Sequence, residues 1–179
     1  DCPGLAVVLS CRDFEFRHDA RLTTLDAKEL RLQPVEWVEV EAVLRTRGLS
    51  PEGWHPGFKE VLRVPQHLGI FLRYLADTDT REAFTNYHEM LDEVFHNRVL
   101  AGPAGDRNAA ALFAVARAMG DNEDLWVPVA RFDAHSAAIE RMVAADFLQR
   151  EGLRIGFRHQ TLFDFVRARA FVAAGESVA

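Results

Sequence analysis

A mainly α-helical fold, with an α/β edge at its start and a helix–strand–helix unit at its end, is what this sequence predicts. Three observations predict it: one uninterrupted apolar run at Leu5–Leu9, a long middle stretch of apolar residues spaced by three and four, and a final third in which helical spacing gives way to alternation and then returns. The balance of 49% hydrophobic and 27% charged residues over 179 positions is that of a compact folded chain rather than a disordered one.

The elements follow in order. Gly4-Leu5-Ala6-Val7-Val8-Leu9-Ser10 reads as a buried strand, and such a strand at an extreme terminus wants neighbours on both sides, so the chain is expected to be part of a larger protein. The run ends in the polar cluster Ser10-Cys11-Arg12-Asp13, at the strand edge where α/β sheets hold ligands. Lys28 to Val35, with Leu30 and Leu32 alternating before Pro34, predicts a second short strand. Trp37, Val40 and Leu44 predict a helix stopped at Gly48; Ser50 to Pro56 is a loop; Phe58–Leu62 and Gln66–Leu75 are short helices divided at Pro65. Phe84, Tyr87, Leu91, Val94 and Phe95 line a longer helix that ends before Gly102-Pro103, and Leu112, Val115, Ala116 and Met119 line another. Ala101 to Asn108 is the best linker. Ile139, Met142, Val143 and Phe147 predict a helix closed at Gly152; Leu153, Ile155 and Phe157 a strand; Leu162, Phe165 and Val166 a last helix. Helix, strand and helix in this order suit a winged-helix or helix-turn-helix derivative.

Composition narrows the function classes. No stretch reaches the ~18 apolar residues of a membrane span, and no basic region followed by an apolar core opens the chain, so a cytoplasmic location is expected. Cys2 and Cys11 form neither a disulfide framework nor paired ligand spacing. A net charge of −6 argues against nonspecific attraction to nucleic acid or an anionic membrane. Lysine occurs only at Lys28 and Lys59, and the remaining basic residues are arginine.

Three stretches in fixed order carry a family resemblance. Val7-Val8-Leu9-Ser10-Cys11-Arg12 is a strand delivering an arginine, Val64-Pro65-Gln66-His67-Leu68-Gly69-Ile70-Phe71-Leu72 is a proline opening a helix, and Ile155-Gly156-Phe157-Arg158-His159-Gln160-Thr161-Leu162-Phe163-Asp164-Phe165 is a strand delivering a histidine to an aromatic helix. Together they resemble the STAND class of signal-transduction ATPases, its NACHT-like branch most closely, from the late nucleotide-binding core onward. The resemblance implies that residues 1–35 are the C-terminal edge of a P-loop α/β core, 36–101 a helical lid domain and 102–179 a winged-helix-like domain. It makes Arg12 the sensor arginine for a terminal phosphate, Pro65 the lid proline against adenine with Leu68 beside it, and His159 the histidine near the phosphates. The cofactor it implies is ATP or ADP with magnesium in the intact protein, with nothing tightly held by this chain alone. Its implied partners are the missing N-terminal nucleotide-binding half and, in the intact protein, further copies of itself, with no membrane and with nucleic acid disfavoured.

The departure from the family pattern is the front of the site. No G-x-x-x-x-G-K-[ST] loop and no apolar strand ending in paired acids occurs, so this chain is expected to hydrolyse neither ATP nor GTP. Two other readings compete. Arg154, Arg158, Arg167 and Arg169 around the last helix suit a winged-helix DNA-binding or protein-interaction module. His88, Glu89, Asp92 and His96, at spacings of four along one helix, suit a metal site, although Leu91, Val94 and Phe95 explain that helix as an ordinary packing element and no metal is assigned.

Overall fold

The computed structural model describes residues 8–9, 11, 16–17, 19–26, 28–76 and 84–175, which group into two units, Asp1–Gln33 and Pro34–Ala179. In the first unit, α1 (Ala20–Thr23) is a single turn whose N-cap Asp19 accepts from the Arg21 amide at 2.9 Å. Most of the apolar run lies outside the described residues; Val8 and Leu9 are exposed and belong to no strand. The predicted strand Lys28–Val35 is absent: its described residues are irregular, and Leu32 is 98% exposed. Alternating leucines make a strand only where a neighbouring chain satisfies the backbone and covers a face.

The second unit begins with α2 (Trp37–Thr46), α3 (Pro56–Leu62), α4 (Pro65–Tyr74) and α5 (Tyr87–Phe95). Helix α2 buries Val40 and Leu44 and ends as the sequence predicts, with Gly48 at φ 71° and the amides of Gly48 and Leu49 returning to the Arg45 and Leu44 carbonyls. Prolines at the first positions of α3 and α4 fall where an N–H would have no helical partner. Asn86 caps α5 by accepting from the Glu89 amide at 3.0 Å, and Glu89 reaches back to the Thr85 amide at 2.7 Å. Trp54, Phe58, Phe71 and Phe84 interlock in this half, with Phe58 edge-on to Phe71 at 5.4 Å.

The chain then passes through a π-helical turn, His96–Leu100, into α6 (Gly105–Asn122), so the second half of the expected linker is helical instead. Gly105 is required there, because a Cβ would lie 2.2 Å from the Leu100 carbonyl oxygen. Next come β1 (Val127–Pro128), a 3-10 turn (Val129–His135), α7 (Ser136–Ala144), β2 (Leu148–Glu151), β3 (Arg154–Phe157) and α8 (Gln160–Ala173). The three strands form an antiparallel sheet in the order β1-β3-β2, with Val127 opposite Ile155 and Leu148 opposite Phe157. Phe147, predicted on a helix face, instead follows that helix, and β2 occupies residues predicted as helix. The fold is therefore mainly helical with one small sheet.

One apolar core runs from Val40 and Leu44 through Phe71, Met90, Leu112 and Ile139 to Val166. Asn108 is the buried polar residue recorded in it; its amide donates to the Val99 carbonyl at 3.2 Å and its oxygen accepts from Arg141 Nε at 2.9 Å. No helix among the described residues is long and apolar enough to cross a membrane.

Candidate functional site

Pro65 opens α4 after Val64, whose ψ of 118° is the extended geometry a following proline imposes, and its ring is exposed. Leu68, one turn on, is half-buried against the core. His159 precedes α8 in extended backbone, φ −133° and ψ 135°, and is half-buried without capping the helix by its side chain. These two helix starts are tied together: Gln66 Nε2 donates to Thr161 Oγ1 at 2.7 Å, across 95 residues of sequence. Arg12 lies outside the described residues.

Aromatic and polar groups fill the surroundings. The His67 ring stacks on Tyr87 with centroids 3.7 Å apart. Its Nδ1 meets the Val61 carbonyl at 3.1 Å, a contact in which only the nitrogen can donate, so the proton sits on Nδ1. Burial pushes the His67 pKa down, against the pull of that carbonyl. The Tyr87 hydroxyl is buried, and its pKa is raised by burial, with Thr161 pulling it the other way.

Arg158, the residue before His159, belongs to a charged cluster. Arg73 pairs with Asp146 Oδ2, Arg158 Nε stands 3.6 Å from Asp146 Oδ1, and Tyr74 Oη donates to the Asp146 carbonyl at 2.8 Å. Burial and then the Asp146 charge push the Tyr74 phenol up to about 12, despite Arg73, Arg158 and Arg98 nearby. The His159 pKa is lowered, first by burial and then by the positive charges of Arg158 and Arg73, with Asp146 opposing. The lowered pKa favours the uncharged imidazole, which can either donate or accept.

The other candidate residues are engaged elsewhere. Glu89 is spent on the α5 cap, and Asp92 pairs with Arg169 while His88 Nε2 stands 3.4 Å from it. Among the described residues no group of three or more His, Cys, Asp or Glu is placed to hold a metal. Of the four arginines around the last helix, Arg169 lies over Phe95 at 4.8 Å and Phe165 at 5.4 Å, Arg167 lies over Phe163 at 5.9 Å, and Arg158 donates to Gln149 at 3.2 Å. Arg154 is exposed on β3.

Sequence reasoning singled out Pro65 and His159 but not Gln66, Thr161, Arg73 or Tyr74; for Asp146 it offered only pairing with the arginines around the last helix, and Arg158 does stand against it. Nothing local marks those four, because each acquires its role from a partner far away in the chain. No family model, no curated protein and no solved structure matches this chain.

Proposed function

We propose that this chain supplies the sensor, lid and winged-helix latch of a nucleotide-dependent switch of the STAND type, acting on ATP and ADP. The observation that carries the reading is the Gln66–Thr161 hydrogen bond, which sets the proline-led start of α4 beside the histidine-led start of α8. An adenine ring needs a flat apolar support, and exposed Pro65 with Leu68 offers one. A phosphate needs donors, and a neutral His159 at the head of a 14-residue helix offers an N–H together with the helix's positive end.

The order of elements from α6 onward also supports the reading. A helix, a short strand, a 3-10 turn with a second helix, and a hairpin whose later strand pairs with the first is the sequence of parts in a winged helix. In such a switch, closure of this domain on the lid accompanies the ADP-bound resting state, and release accompanies activation. Magnesium and the phosphate loop belong to the nucleotide-binding half that the reading requires, and hydrolysis belongs there too.

Amide spectra of the isotopically labelled chain test it. Millimolar ADP should shift the amide resonances of residues 66–68 and 159–161 together, with no nucleotide turnover. Shifts confined to other residues, or turnover abolished by a chelator, would contradict the assignment.

A further inference from the structure

Asp146 was marked by no motif, yet it is held from several directions. It follows α7 with φ 65°, a left-handed conformation that asparagine and aspartate tolerate better than most residues but that still carries a cost. Tyr74 and Arg73 grip it from α4, and Arg158 approaches from the β3–α8 junction. Its Oδ2 is buried and receives no hydrogen bond of regular geometry, so the compensation for that oxygen is charge pairing with Arg73. The Arg158 contact is loose at 3.6 Å, and that guanidinium's other partner is the neutral Gln149. Both arginines keep 40% or more of their side-chain surface exposed.

One carboxylate set between two guanidinium groups leaves positive charge in surplus. Arg158 immediately precedes His159 and the first turn of α8, which no side chain caps, and the charges of Arg158, Arg73 and Asp146 all act on the His159 ring. Carboxylates and phosphates use the same fork of guanidinium N–H groups, so either can occupy it. We infer that Arg73, Arg158 and His159 form a seat for a phosphate-type oxyanion, and that Asp146 is the internal counter-ion that occupies the arginines until the anion arrives. The choice of a nucleotide's phosphates as ligand rests on the switch reading above; the seat itself rests on the cluster's geometry. Asp146 is then a positioning and gating residue: it holds the guanidinium groups in place and sets how much affinity the anion must bring to displace it.

Calorimetric titration of the full chain with pyrophosphate and with ADP tests this, using Asp146→Gly, Asp146→Asn and Arg158→Gln. Glycine adopts φ 65° freely and asparagine tolerates it, so both variants retain the turn, as thermal melts will verify. Removing the carboxylate should tighten pyrophosphate binding by about tenfold, and adding Arg158→Gln should abolish the gain. Unchanged affinity in both folded Asp146 variants, or a gain that survives Arg158→Gln, would overturn the seat. Tighter pyrophosphate with ADP binding no better than pyrophosphate would support the seat while removing the nucleotide reading. ADP binding that depends on His159 but is indifferent to Asp146 would do the reverse.

Discussion

His159 and His67 show how burial sets the charge of single residues. Both have lowered pKa values, His67 from burial and His159 from burial together with Arg158 and Arg73. A base with a lowered folded-state pKa binds fewer protons than the unfolded chain between the two values, so stability rises with pH there. The contribution is complete above the unfolded value near 6.5 and is lost as pH falls through the depressed folded values. Thermal melts between pH 7.5 and about 5 should therefore show a falling Tm, a range above that in which Glu89 and Glu52, whose pKa values are lowered, become protonated. A His67→Phe variant, which keeps a ring on Tyr87, should flatten part of that slope; an unchanged slope would mean that the ring's burial is not what sets its charge. At this scale the sequence was legible where a residue opens an element, as Pro65 and His159 do. It was silent where the role is made by a distant partner, as with Arg73 and Tyr74.

Among elements, the amphipathic helices were readable because each buries a face of its own: Val40 and Leu44 in α2, Leu91 and Val94 in α5, Leu112 and Val115 in α6. The sheet was harder. Strand β2 carries Leu148 as its one buried residue, and β1 consists of Val127 and a proline, so neither shows alternation long enough to be read. Conversely, Lys28–Val35 alternates yet forms no strand, because alternation states a preference that only a pairing partner realises. Glycines separate tight elements from open ones. A Cβ at Gly156 in β3 would lie 2.5 Å from the Leu125 carbonyl oxygen and 3.3 Å from the Trp126 ring, whereas one at Gly69 in α4 meets nothing within 4 Å. Gly156→Ala should cost about 1 to 3 kcal/mol by overpacking, and Gly69→Ala should gain about 0.5 to 1 kcal/mol through helix propensity. Urea titrations of the two variants check the pair, and equal effects would mean that Leu125 and Trp126 do not press on β3 as described.

The described part of the unit Pro34–Ala179 shares one apolar core, and polar ties join its early helices to its later sheet and helix: Gln66 to Thr161, Tyr74 to Asp146, and Asp92 to Arg169. A nucleotide held between Pro65 and His159 would strengthen that closure, and its loss would weaken it. A hydrogen bond to a charged phosphate is worth about 1.5 to 3 kcal/mol, enough to shift a closed-to-open balance roughly ten- to a hundredfold. The most direct measurement is the rate of ADP release from the chain joined to the phosphate-loop half that the proposed switch requires, compared between wild type and His159→Ala, beside thermal melts of the 179-residue chain. ADP release should be faster by about tenfold or more in His159→Ala, with the melting temperature of the chain little changed. An unchanged release rate with a clear loss of thermal stability would contradict it, and would make His159 a packing residue.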